Sequence, residues 1–489
     1  MAKNIMLQGT MSNVGKSFLT AALCRIFRQD GYSAAPFKSQ NMALNSFITV
    51  DGAEIGRAQA LQAEAAGIEP SALMNPILLK PTTDVGSQVI VNGKVRGNMR
   101  AADYFRHKKE LIPDILTAYE QLAAQYDIIV IEGAGSPVEL NLKADDIVNM
   151  GLAEMVKSPV MLVGDIDRGG IFAQLIGTLE LLEPHEAEMV KALAVNKFRG
   201  DKSLFQDGIN ILEERSGKKV AGVVSYVSCD IEDEDSLSEK LDSKAADGII
   251  DIAVIRLPKI SNFTDFDVFS QYDGVSVRYV SRASRLGSPD LIIIPGTKST
   301  IADMNWLREV GLDTEIKNRL REGIPVFGIC GGYQIMGKTI SDPVGSECSG
   351  SIGGLGLLDC VTVFSSKKSQ SQTKGRFFDA DGFFSCLAGA EFCGYEVHMG
   401  RTKCFGNALT SCGGSFCGNA AGCYVHGIFD SSDVAGRLVR RLFQTKGLEY
   451  RGQSVDRRIY REQQLDLLAD SVRKDLDMDL VYRIMEEGL

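Results

Sequence analysis

The residues Gly9-Thr10-Met11-Ser12-Asn13-Val14-Gly15-Lys16-Ser17 have the composition of a phosphate cradle. The apolar run Asn4–Leu7 precedes them and the amphipathic stretch Ser17–Gln29 follows, the strand–loop–helix context such a loop requires. Backbone N–H groups of the turn and helix start then point at phosphate oxygens. Lys16 adds a positive charge, and the Ser17 hydroxyl can ligate Mg2+. Gly9 stands one residue further out than the usual first glycine, whose place Thr10 takes. A cation beside phosphates also needs a carboxylate. The run Asp127–Ile131 leads into Glu132-Gly133-Ala134-Gly135, so Glu132 is the first candidate ligand; Asp51, in Thr49-Val50-Asp51-Gly52, is the second.

A different chemistry is written at Pro325-Val326-Phe327-Gly328-Ile329-Cys330-Gly331-Gly332-Tyr333-Gln334. A strand running into G-x-C-x-G has the form of a nucleophile elbow, in which a tight turn projects the reactive side chain. The start of the following helix favours a thiolate. The Gly331 N–H can form one side of an oxyanion hole, and the strand end Ile294-Pro295-Gly296-Thr297-Lys298 can supply a second donor near Gly296. The chain has four histidines, and two lie beyond Cys330: His398 and His426. Both end strand-like runs, so spacing alone leaves the choice of base open.

These sites need rigid elements behind them. Short runs at Asn4–Leu7, Asp127–Ile131, Val160–Val163, Ala192–Val195, Ile252–Ile255, Leu291–Ile294 and Val326–Ile329 are rich in β-branched residues and almost wholly apolar. That pattern suits strands buried on both faces of a parallel sheet. Helical spacing appears at Ser17–Gln29, Ile55–Ala66, Lys108–Ala124 and Thr314–Arg321. Strand–helix alternation of this kind predicts a doubly wound α/β fold. The polar, acidic stretch 229–250 interrupts the rhythm and is read as a linker between units at 1–228 and 251–445. Residues 446–489 read as a helical tail.

Composition bounds the rest. At 489 residues the prior is about three domains. With 44% hydrophobic and 24% charged residues, disordered, collagen-like and coiled-coil classes are excluded. A net charge of −10 argues against sequence-independent nucleic-acid binding, so an anionic substrate must find a locally basic pocket. The 11 cysteines form no C-x-x-C pair, which disfavours structural zinc and a disulfide framework. Cys412, Cys417 and Cys423 read as small buried hydrophobes. No apolar stretch approaches the roughly 18 residues of a membrane span. The start, MAKNIMLQGT, lacks a signal-peptide core, which makes a cytoplasmic location the expectation.

The loop and the Glu132-Gly133-Ala134-Gly135 strand end resemble the dethiobiotin synthetase group of P-loop proteins, which use ATP to activate a carboxylate. Four further blocks narrow the resemblance: Lys38–Ser46, Asp51–Ala60, Asn75–Pro81 and Asn196–Asp201. Together with the cysteine elbow they resemble the cobyric acid synthase family, whose N-terminal P-loop unit is joined to a class I glutaminase-like unit. The resemblance selects His426 as the base. Class I glutamine amidotransferases often carry a glutamate two residues further on, where this chain has Ile428; cobyric-acid-synthase-type domains resemble this departure, so a Cys–His dyad is implied, with Glu396 and Asp430 as unassigned orienting groups. It also implies an adenine contact at Asn196 and Lys197.

ATP activation joined to a glutaminase predicts glutamine-dependent amidation. Resemblance makes the acceptor an adenosylated corrin, adenosylcobyrinic acid a,c-diamide, amidated at its b, d, e and g carboxylates. For its anionic arms Lys38 and Asn41 are the preferred contacts among Lys38, Gln40, Asn41, Arg57 and Lys80; Asp146 either positions an arm or metal or caps a helix. A passage for ammonia between the units is expected. The competing readings are the related a,c-diamide synthase and, in another class, a partitioning or scaffold ATPase with an inert cysteine module.

Overall fold

A computed structural model describes residues 2–83, 86–231, 248–347, 349–452 and 456–489. Most of the proposed acidic linker, 232–247, lies outside the described residues, as does Cys348. Among the described residues no helix is long and apolar enough to cross a membrane.

Two parallel sheets dominate, as the doubly wound pattern predicts. The first runs in the order Lys219–Ser225, Val190–Phe198, Val160–Asp165, Lys3–Gly9, Ile128–Glu132, Ala34–Phe37, with every pairing parallel. Alternate residues feed opposite cores: Met6, Ile129, Ile131 and Leu162 enter one, while Ile5, Leu7, Val130 and Val163 enter the other. This two-sided burial is why the strands read as unbroken apolar runs. The second sheet orders Val275–Val280, Ile250–Ile255, Leu291–Ile294, Val326–Ile329 and Ala420–Cys423 in parallel. It ends in two antiparallel strands, Gly413–Cys417 and Asn407–Thr410.

Three smaller sheets were not anticipated. One pairs the long strands Cys360–Arg376 and Glu391–Cys404; another includes Ile77–Thr83, Gly86–Val91 and Lys94–Arg100. The third is the hairpin Ser46–Ile48/Glu54–Gly56. Because Ile55 belongs to that hairpin, the following helix starts at Arg57. The single helix expected over Lys108–Ala124 is divided into a 3-10 turn, Lys108–Leu111, and a helix, Ile112–Ala123. Pro113 explains the division, since it lacks an N–H and is accommodated only in a helix's first turn.

The tail forms two helices, Arg457–Asp475 and Met478–Glu487, and these return to the first unit. Leu465, Leu468, Val472, Val481 and Ile484 are buried in the same core as Ile5, Leu7 and Leu19. Arg25 donates to Asp466 at 2.8 Å, and the Asp477 amide donates to the Ala221 carbonyl at 2.7 Å. The cysteine expectation needs correcting: Cys423 is buried but Cys417 is exposed and Cys412 half-buried. Cys417 is the exposed last residue of the strand Gly413–Cys417, whose Ser415 and Phe416 are the buried positions.

Candidate active sites

At the first site the strand Lys3–Gly9 delivers the loop, and the helix Lys16–Gln29 leaves it. Gly15 caps that helix in the left-handed region at φ 96°. A side chain there would also collide with Asn196 Nδ2, at 2.2 Å. Lys16 folds back across the loop and donates to the Met11 and Gly135 carbonyls, each at 3.0 Å. Thr10 is anchored by its amide to the Val163 carbonyl at 3.0 Å, with its hydroxyl on Gln174 at 3.1 Å. Burial pulls the Lys16 ammonium down to about 8, the effect opposed by Glu132.

Ser17 and Glu132 meet directly, hydroxyl to Oε1 at 2.8 Å. Lys38 donates to the same oxygen at 2.8 Å and Gln62 to Oε2 at 2.6 Å. Burial by itself would raise the Glu132 carboxyl, but the Lys38 charge and the three donors outweigh it and hold the group below the usual carboxylate range. Asn196 and Lys197 end the strand Val190–Phe198 at the loop's rim. Asn196 donates to the Val14 carbonyl at 2.7 Å, and Lys197 to Asp165 at 2.8 Å and to the Asn13 carbonyl. Asp165, fully buried at a strand end, joins this cluster through Lys197 and was not singled out in the sequence.

The remaining candidates scatter. Asp51 sits in the hairpin turn, held by the Thr49 hydroxyl, and shares no hydrogen bond with Ser17 or Glu132. Asn41 is buried and donates to Gln59 at 2.9 Å. Asp146 accepts backbone amides of Val148, Asn149 and Gly151 at 2.8–3.0 Å, which makes it the cap of the turn entering the helix Met150–Met155. Lys80 lies midway along the strand Ile77–Thr83, paired with Glu54 at 2.9 Å.

At the second site Cys330 stands between the strand Val326–Ile329 and the helix Gly331–Met336 at φ 52°, ψ −109°. A non-glycine residue with that backbone is strained, and the surroundings must hold it. The flanking glycines allow this by close approach: a β-carbon on Gly332 would lie 1.9 Å from the Ile294 carbonyl oxygen. One on Gly331 would lie 2.8 Å from the Thr297 amide nitrogen, so the two strand ends expected to supply oxyanion donors do adjoin. Gly296 lies against His426, whose Cε1 would be 2.9 Å from an added β-carbon.

The two histidines are now distinguishable. His398 has both ring nitrogens engaged, with Glu396 at 3.1 Å and the Gly400 carbonyl at 2.8 Å, and it stacks on Tyr424. His426 interacts with the Cys330 thiol and places Nδ1 2.7 Å from Asp265 Oδ2. With Nδ1 taken, Nε2 is the nitrogen left for the thiol. Burial pulls the imidazole pKa down, but Asp265 and Cys330 together outweigh it and hold it up at about 10. Neither acid expected to orient the histidine does so: Glu396 serves His398, and Asp430 pairs with Arg457. Asp265 escaped notice because it lies in a 3-10 segment, Phe263–Gln271, far from both partners in sequence. The polar run Ser261-Asn262-Phe263-Thr264-Asp265 between apolar strands was the available signal.

Full-length comparison decides the family. The chain is 53% identical over 514 aligned residues to a cobyric acid synthase of Lachnoclostridium phytofermentans, covering 100% of both chains. It is 52% identical to that of Ruminiclostridium cellulolyticum, over 100% of this chain and 98% of the relative. The chain belongs to the cobyric acid synthase family. Consistently, residues 5–238 match the CobQ/CobB/MinD/ParA nucleotide binding domain and residues 251–434 the CobB/CobQ-like glutamine amidotransferase domain.

Within this family member the Asp265–His426 contact yields a direct prediction. Asp265→Asn presents an amide where Nδ1–H needs an acceptor and favours the wrong tautomer. Glutamine hydrolysis is expected to fall about 100-fold, by roughly the 3 kcal/mol at stake in one positioned charged hydrogen bond. With the carboxylate removed, the imidazolium also loses its proton at lower pH. A pH–rate profile of glutaminase kcat/KM that coincides with wild type would contradict this role.

Proposed function

We propose that this chain couples ATP-dependent carboxylate activation to glutamine hydrolysis, amidating the b, d, e and g carboxylates of adenosylcobyrinic acid a,c-diamide. The observation that carries the reading is similarity to cobyric acid synthases along the entire chain, so that both units are covered at once. The related a,c-diamide synthase shares both units and is the reading to exclude.

In the first unit the loop amides after Thr10, from Met11 to Ser17, with Lys16, hold the ATP phosphates, while the Thr10 amide is spent on the Val163 carbonyl; Asn196 and Lys197 flank the nucleotide. Ser17 and Glu132 are the groups for Mg2+: one hydroxyl and one carboxylate already in contact suit an ion that takes its other oxygens from phosphate and water. Such an ion would neutralise phosphate charge. Asp51 is not needed for this set. A carboxylate is a poor acceptor because oxide would have to leave. Phosphorylation makes phosphate the leaving group, and Lys16 offsets the charge that develops.

In the second unit Cys330 attacks the glutamine amide, His426 protonates the departing ammonia, and water resolves the thioester. The Gly331 and Gly296–Thr297 amides face the oxyanion. Asp265 keeps His426 oriented. Ammonia then crosses between the units. Lys80 of the first unit lines the cavity that contains Cys330, which supports a passage opening at that interface.

The test is to supply cobyrinic acid, its a,c-diamide and their adenosylated forms with ATP and glutamine and to weigh the products. Up to four amidations of the a,c-diamide are expected. Amidation of cobyrinic acid with no turnover of its a,c-diamide would assign the chain to the earlier step.

A further inference from the structure

The cavity at Cys330 extends to buried charges that the scheme above does not use. Its wall includes Lys80, Lys298, Glu347 and Lys368 together with Cys330 and His426. Glu54, fully buried in the hairpin, receives both Lys80 and Lys368. Both of those ammoniums are thus paired, on one shared carboxylate.

Lys298 is differently placed. It is 8% exposed, and its ammonium donates to the neutral Gln88 Oε1 at 3.3 Å, with no carboxylate in ion-pair range among the described residues. Glu347 is its counterpart. Its carboxylate takes the Thr300 amide at 2.7 Å and pairs with no ammonium among the described residues. The two act on each other across the cavity without touching, and burial disfavours both charges, depressing Lys298 and raising Glu347 to about 7. A buried cation and a buried acid without ionic partners are costly to maintain unless a ligand completes them.

A free amino acid supplies the complement. It carries a carboxylate and an ammonium on one carbon, and in glutamine two methylenes separate that carbon from the reactive amide. We propose that Lys298 and Glu347 form the head-group site for glutamine: Lys298 holds the α-carboxylate, Glu347 the α-ammonium, and the side-chain amide reaches Cys330. The proposal rests on the glutaminase reading. It adds that specificity for a free amino acid is built on one charge of each sign. Gln88, which also accepts from Lys368 at 3.2 Å, belongs to the strand Gly86–Val91 of the P-loop unit. The other unit therefore supports the head-group site, and glutamine affinity depends on how the two units dock.

Two alkylating reagents separate head-group recognition from general damage. The diazoketone analogue of glutamine, diazo-oxonorleucine, carries the same zwitterion; its diazomethyl carbon takes up one proton, supplied by the His426 imidazolium, and the Cys330 thiolate then displaces dinitrogen from that carbon. Iodoacetamide alkylates the same sulfur, losing iodide, and has no head group. In the full-length protein Lys298→Gln is expected to slow diazoketone labelling of Cys330 about 100-fold while iodoacetamide labelling changes little. Glu347→Gln should act in the same direction, and Lys298→Arg should restore part of the rate. Parallel slowing of both reagents in Lys298→Gln, or an unchanged diazoketone rate, overturns the head-group site. Failure of the diazoketone to label Cys330 in the wild-type protein instead overturns the glutaminase reading on which it rests.

Discussion

Cys330→Ala is expected to abolish amidation from glutamine while leaving amidation from added ammonia intact. Removing a positioned nucleophile costs on the order of a millionfold in the step it performs, since no neighbouring group replaces it. Here the sulfur sits on a strained backbone, φ 52° and ψ −109°, held by glycines on both sides, so a second thiol cannot take its place from elsewhere in the site. The substitution removes one buried atom at a position only 6% exposed and leaves the elbow's backbone hydrogen bonds in place, among them Cys330 N–H to the Cys423 carbonyl at 2.9 Å. The fold is therefore retained. Measuring product with glutamine and with ammonium salt, at a pH where free ammonia is present, distinguishes the sites. Loss of both activities in a protein that still unfolds cooperatively would reject separate sites for hydrolysis and amidation.

Lys16→Ala is the complementary experiment. Deleting one donor aimed at developing phosphate charge is expected to reduce amidation about 100- to 1000-fold with either nitrogen source. Glutamine hydrolysis should survive in part, because among the described residues Lys16 interacts with Met11, Gly135, Glu132 and Lys38 and with none of the cysteine site. The wild-type protein adds a pH signature. Burial holds the Lys16 ammonium at about 8, so nucleotide affinity should weaken as pH rises through that value, when the amine loses its charge. Bound phosphates push the group back toward protonation, so binding above pH 8 should take up a proton. Calorimetry in buffers of different ionisation enthalpy reads this uptake. Affinity independent of pH across about 7 to 9 would remove Lys16 from phosphate binding.

The hairpin Ser46–Ile48/Glu54–Gly56 shows how the two sites are mechanically joined. Its Ser46 amide donates to Asn262 at 3.0 Å, and its Ser46 carbonyl accepts the Tyr395 hydroxyl at 3.0 Å. The Tyr395 ring stacks on His426 with centroids 5.4 Å apart. The helix that follows the hairpin, Arg57–Ala66, carries Gln62 to Glu132 in the P-loop site. One continuous stretch of chain thus touches the phosphate-side carboxylate at one end and the residue packed on the catalytic-site imidazole at the other.

Much of this was legible without coordinates. The P-loop, Glu132 at its strand end and the Cys330 elbow are each made by contiguous residues, and local backbone geometry governs what a loop between a strand and a helix can do. The parallel strands were legible for a related reason: burial on both faces writes itself as an unbroken apolar run. Asp265, Asp165, Lys298 and Glu347 were not legible. Each acts through a partner distant in sequence, and an isolated Asp, Glu or Lys looks the same in a solvated turn as beside an imidazole. Nor could spacing tell His398 from His426, since both end strand-like segments and only their neighbours differ.

The sequence by itself therefore determined the two chemistries, the α/β class and the family, because motifs and strand periodicity are short-range properties of the chain. Tertiary structure decided which acid orients His426, where the tail packs and how the hairpin spans the interface. Those outcomes depend on burial and on charges brought together from distant parts of the chain, where Lys38 meets Glu132 and Asp265 meets His426, each only after its own sheet has formed.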